Sequence, residues 1–112
     1  MRTTAFPLAT AALCMAIVSA SSLGQPGHGN PQRGRELAAR LCIACHVVDR
    51  AHSGPVRADV PSFPTIAGRP GSTAEYLAGK IIVPHPAMPG VALTADEIRD
   101  IVAYIVTLKR SD

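Results

Sequence analysis

The chain has 112 residues, which is enough for one domain, and its 11 Lys/Arg residues outnumber its 8 Asp/Glu residues by only three charges. That small excess gives no reason to expect a nucleic-acid partner. The chain contains two Phe, two Tyr and no Trp. So small a domain with so few aromatic side chains is expected to complete its core with a bound metal or cofactor.

The start of the chain has the layout of a secretory signal peptide. Arg2 precedes an apolar stretch from about Ala5 to Val18, and small residues follow. Cleavage after Ala20 and cleavage after Gly24 both fit. The alternative, an uncleaved membrane anchor, is disfavoured because the apolar run falls short of the roughly 18 to 20 residues that span a bilayer. The sequence thus predicts an exported, periplasmic protein without stable membrane insertion, divided into a signal peptide (1–24), a flexible leader (25–30) and one domain (31–112).

The domain is predicted to begin with a helix. Asn30 is a favourable N-cap and Pro31 a favourable first helical residue, and small or apolar residues recur at helical spacing up to about Cys42. From 47 to 71 repeated Gly and Pro residues exclude any helix longer than a turn or two. A loop of that length inside a small domain is expected only where a cofactor organises it.

Two more helices are predicted in the C-terminal half. Ser72 or Thr73 caps a short helix that ends near Ile82, and a Pro-rich loop follows from 83 to 93. The last helix opens with the capping box Thr94-Ala-Asp-Glu97. Its apolar residues form one stripe, which we assign to the core: Ile98, Ile101, Val102, Ile105 and Leu108. No stretch predicts a sheet, so the fold class is all-α.

The chemistry is carried by Cys42-Ile-Ala-Cys45-His46. Two thiols one helical turn apart, followed directly by an imidazole, form the attachment pattern for covalently bound haem c, with His46 as an axial ligand of its iron. A thioredoxin-like pair would need a βαβ context. A zinc site would need more ligands from the remaining histidines at unconvincing spacing, and a plain disulfide would leave the adjacent His46 unexplained.

A sixth iron ligand is predicted by elimination. Once Met1 and Met15 leave with the signal peptide, Met88 is the only methionine of the domain. It lies between prolines in a loop, where filling a core gap is a poor explanation, and thioether ligation of haem is common. His85, in the same loop, is the competing ligand.

These features in this order resemble the class I cytochromes c, over about residues 31–109. The matching parts are Gly34, the haem motif, Gly54-Pro55, the Met88 loop and Tyr104. The resemblance implies the cytochrome c fold, in which the N- and C-terminal helices cross and a short third helix and long loops wrap around one haem. It also implies that Gly34 permits the crossing, that the Pro55 carbonyl accepts a hydrogen bond from His46, and that Tyr76 hydrogen-bonds near the methionine sulfur.

The function expected from this resemblance is single-electron transfer rather than catalysis. The partners would be a donor dehydrogenase and an acceptor such as a terminal oxidase. The sequence lacks the Trp that holds a haem propionate in many members and the lysine ring of the respiratory carrier, so that carrier's partners do not transfer. Two alternatives are a dedicated haem subunit of a periplasmic oxidoreductase and an open-site haem protein that binds ligands.

Overall fold

The computed structural model describes Met1 and residues 28–110, so the predicted signal peptide apart from Met1, and the first half of the predicted leader (25–27), lie outside the described residues. Within that part the backbone forms helices and no strand, as expected for an all-α fold. The helices are α1 (Pro31–Leu41), α2 (Phe63–Ala67), α3 (Ala74–Ile82) and α4 (Ala95–Thr107).

The predicted helix starts are confirmed by their capping hydrogen bonds. The Asn30 side-chain oxygen accepts the Arg33 backbone N–H at 3.1 Å, and Thr73 caps α3 in the same way. At α4 the capping box closes in both directions. The Thr94 hydroxyl accepts the Glu97 backbone N–H at 3.2 Å, while the Glu97 carboxylate accepts the Thr94 N–H at 2.8 Å. The Thr94 hydroxyl also donates to the Glu97 carboxylate at 2.9 Å. The backbone N–H first, and the hydroxyl second, hold the pKa of Glu97 below its usual range by hydrogen-bonding its charged form.

Replacing Thr94 by alanine is expected to lower the free energy of unfolding by about 1 kcal/mol, because the cap of α4 is lost. Since the pKa of Glu97 is lowered in the folded state, the contribution of that carboxylate is present above its unfolded pKa and disappears as the pH falls. The difference in the free energy of unfolding between Thr94→Ala and wild type should therefore become smaller below about pH 4. Denaturant titrations at several pH values measure it, and Thr94→Ser, which keeps the hydroxyl, should stay near wild type.

Helix α2 lies inside the segment predicted as loop, and it is the one described helix that the sequence pattern did not predict. Its five residues remain within the limit of a turn or two set by the prolines. Ser62 caps it by accepting the Thr65 backbone N–H at 3.2 Å, and Pro64 lies in the first turn, where a missing N–H costs nothing. Pro64 thus lies at the start of a short helix and does not break it.

The core forms where α1 crosses α4, with α2 and α3 also packed on α4. Gly34 makes the crossing possible, because a Cβ atom there would lie 1.9 Å from the Asp100 carbonyl oxygen. Tyr104 is buried nearby and donates its hydroxyl to the Val48 carbonyl at 2.9 Å. Core residues of α2, α3 and α4 also line a cavity, which the end of α1 and the loops 43–62 and 83–93 complete.

Candidate functional site

The end of α1 presents two thiols and an imidazole to one cavity. Cys42 caps the helix, and its carbonyl accepts the backbone N–H of Cys45 at 3.1 Å and of His46 at 2.9 Å. This turn brings all three side chains to the cavity wall. Both cysteines are free, which contradicts the disulfide alternative, and burial raises the pKa of the Cys42 thiol. A redox-active thiol pair needs a lowered pKa, so that alternative is not supported either.

The His46 ring is buried and held from two sides. Its Nδ1 lies 2.8 Å from the Pro61 carbonyl oxygen, and its ring centroid lies 5.5 Å from that of Phe63. A carbonyl can only accept, so Nδ1 carries the proton and Nε2 is left as the basic nitrogen, the state required of a metal ligand. The hydrogen bond also fixes the ring orientation.

The carbonyl that holds His46 corrects the sequence prediction, which assigned it to Pro55. The Pro55 carbonyl instead lies 3.4 Å from His52 Nε2, in an exposed part of the loop. The physical reason is the path of the chain: the Phe63 backbone N–H donates to the Val47 carbonyl at 2.9 Å, which brings Pro61 back beside the imidazole.

Met88 reaches the same cavity from a tight turn. The Met88 backbone N–H donates to the His85 carbonyl at 3.0 Å, Pro86 follows His85, and Ala87 has a positive φ of 69°. This is the pattern of a type II turn, whose third position normally requires glycine. The turn directs both His85 and Met88 to the cavity wall.

Tyr76 also lines the cavity but is half exposed, and its hydroxyl makes no hydrogen bond to any residue in the described part of the chain. The Lys80 ammonium lies 5.4 Å from the centroid of its ring. The hydrogen bond expected near the methionine sulfur therefore stays a prediction. What the structure gives is an aromatic face at the cavity edge.

The cavity has a volume of about 400 Å³ and apolar walls, within the usual size of small-molecule and cofactor sites. The walls come from α2, α3 and α4, chiefly through Phe63, Leu77, Ile81, Ile101 and Ile105. Cationic side chains stand at the same cavity: Arg57, Arg69 and Lys80. Arg57 is paired with Asp59 at 2.8 Å, and this hydrogen bond keeps the pKa of the Asp59 carboxyl low.

These residues fit a haem. The thiols of Cys42 and Cys45 can form thioethers with its vinyl groups, and His46 offers a free Nε2 to its iron. The apolar walls suit the porphyrin, and the cationic side chains at the cavity can pair with the haem propionates. Across the described residues no three His, Cys, Asp or Glu side chains are grouped to hold a metal ion, so the zinc alternative lacks its ligands.

Comparison with known proteins agrees with this geometry. Residues 29–105 match the family described as cytochrome c oxidase, cbb3-type, subunit III. The chain is also 39% identical over 97 residues to cytochrome c-552 of Bradyrhizobium diazoefficiens, an alignment that covers 87% of this chain and 92% of that protein. The chain belongs to the class I c-type cytochromes. No solved structure matches it.

The cytochrome is thus an electron-transfer haem protein and not an enzyme, and its family carries covalently attached haem c. The Cys42-x-x-Cys45-His46 motif is consistent with that attachment. None of the described helices combines the length and apolar character needed to cross a membrane.

Sequence reasoning missed two residues that shape the site, Pro61 and Phe63. The only indication in the sequence was Pro61 itself, because a proline directly before a capping residue such as Ser62 often precedes the start of a helix.

Proposed function

We propose that this cytochrome is a periplasmic carrier whose haem iron is held by His46 and Met88, and that it passes single electrons from a donor dehydrogenase to an acceptor such as a terminal oxidase. The observation that carries the proposal is the type II turn at 85–88, which brings Met88 to the wall of the cavity. His46 lines the same cavity from the segment that follows α1. An imidazole and a thioether are a ligand pair used by electron-carrying cytochromes.

The haem supplies one-electron exchange at its iron. The protein supplies a fixed environment, in which the Pro61 carbonyl holds the His46 ring and the apolar walls exclude water. A thioether donor and an apolar cavity both favour the less charged, reduced iron, so we expect a positive reduction potential. Partners would be met through a small, transient interface.

The Met88→Ala variant tests the ligand pair. The oxidised wild type is expected to show the weak sulfur-to-iron absorption band at long visible wavelength, and the variant should lose it because no other thioether is present in the domain. Val91→Ala is a matched control, since Val91 lines the same cavity from the same loop but has no donor atom. A wild type without the band, or one whose ferrous form binds carbon monoxide rapidly, would contradict His/Met ligation and favour an open site.

Export is proposed from the leader sequence. Expression of the full chain in a host that attaches haem c should yield a periplasmic protein whose mass corresponds to cleavage after Ala20 or after Gly24. A haem protein that stays with the membrane fraction and retains the leader would instead indicate an anchor.

The second candidate, a dedicated haem subunit of an oxidoreductase, is favoured by the description of the matching family as a subunit of an oxidase. Size-exclusion chromatography of native extracts separates the two: a carrier elutes as a small protein, whereas a subunit co-elutes with a larger enzyme.

A further inference from the structure

The turn that carries Met88 also carries an imidazole, that of His85. His85 and Met88 occupy the first and last positions of the type II turn, and the hydrogen bond of 3.0 Å between their backbones holds the two residues side by side. Both side chains line the cavity. The turn includes Ala87 at a positive φ of 69°, a conformation that residues other than glycine rarely adopt.

The distance between the His85 and His46 rings is suited to a shared metal. Their centroids are 6.4 Å apart and the ring planes meet at 79°. Because a metal-bound imidazole nitrogen lies about 2 Å from its metal, two imidazoles that bind one metal from opposite sides have centroids about 6 Å apart. Nδ1 of His46 is already engaged with Pro61, so its Nε2 is the nitrogen available on the cavity side.

The other histidines have no such placement. His52 is directed to the Pro55 carbonyl, and His28 lies in an exposed position before α1. Neither lines the cavity.

We propose that His85 is a reserve axial ligand: it binds the iron at the position of Met88 whenever the methionine sulfur is absent, and so keeps the iron six-coordinate. The proposal rests on the proposed function, in which Met88 is the resident ligand. Met88 is the more buried of the two side chains, which is consistent with that order. The His85 side chain is exposed but already lines the cavity, so its imidazole can reach the site without rebuilding of the loop.

The test compares the haem-loaded variants Met88→Ala and Met88→Ala/His85→Ala. The single variant is expected to remain low-spin, with the electron paramagnetic resonance spectrum of a bis-imidazole haem, and the double variant should become high-spin. If His85 occupies the iron nine-tenths of the time, carbon monoxide binding by the ferrous single variant should be about tenfold slower than by the double variant. Met88→Ala/His52→Ala is the matched control and should behave as the single variant.

The outcomes separate the two proposals. A high-spin single variant that binds carbon monoxide as fast as the double variant would overturn the role of His85. A wild type that lacks the sulfur-to-iron band would overturn Met88 as resident ligand, while the comparison of the variants would still decide His85. Added free imidazole should restore a low-spin spectrum to the double variant, which shows that its haem site is intact. A low-spin double variant before imidazole is added would also count against His85, since another donor would then fill the position.

Discussion

Replacing both Cys42 and Cys45 by serine is expected to leave a chain that does not fold stably. Without thioethers the haem is held only by noncovalent contacts and its iron ligands, and once it dissociates the apolar cavity of about 400 Å³ loses its filling. An enclosed apolar cavity of that volume would cost about 10 kcal/mol, and this one, which opens to solvent, costs less, on the order of several kcal/mol. A domain of this length has only about 5 to 15 kcal/mol of total stability. The haem therefore makes up much of the core.

Far-ultraviolet circular dichroism and a haem stain on denaturing gels measure this effect together. The double variant should lose both covalent haem and most helical signal, whereas Cys42→Ser or Cys45→Ser alone should retain one thioether and part of the haem. Cys14→Ser is the matched control, because Cys14 lies in the predicted signal peptide and should leave the mature protein unchanged. A double variant with wild-type helix content and no haem would show that the core is sufficient alone.

The parts of the fold that the sequence predicts well are those decided by neighbouring residues. Asn30, Thr73 and Thr94 each cap a helix through a backbone N–H three residues ahead, an interaction contained within one turn of chain. The haem motif is equally local, since a single turn after α1 brings both thiols and His46 to one wall.

The parts that the sequence could not predict depend on contacts between distant segments. The carbonyl facing His46 comes from Pro61 rather than Pro55 because the Phe63 N–H pairs with the Val47 carbonyl, a contact that composition does not reveal. The turn that carries Met88 was not predicted for a different reason. It needs a positive φ at Ala87, and alanine gives no indication of that conformation.

Gly34→Ala is expected to lower the free energy of unfolding by about 3 kcal/mol, because the new Cβ would overlap backbone in a packed interface. The overlapping atom is the Asp100 carbonyl oxygen, 1.9 Å away, and it cannot turn aside as a flexible side chain would. The helices are also tied together at this point. The Asp100 carboxylate accepts the Asn30 backbone N–H at 2.6 Å and forms an ion pair with the Arg33 guanidinium at 3.2 Å. Separating α1 from α4 to admit the methyl group would therefore strain a buried carboxylate as well as the packing.

Gly79→Ala provides the matched control, since Gly79 lies inside α3 and its Cβ would meet no atom within 4 Å. Removing a glycine from a helix interior without steric conflict should stabilise the protein by about 0.5 to 1 kcal/mol. Denaturant titration of the two haem-loaded variants should thus move the midpoints in opposite directions. If the Gly34 variant matched the Gly79 variant, the helix crossing would have to be looser than the contact at Asp100 requires. The expected result would show that α1 and α4 can cross this closely only because Gly34 has no side chain. The same crossing holds α4 in place as one wall of the haem cavity.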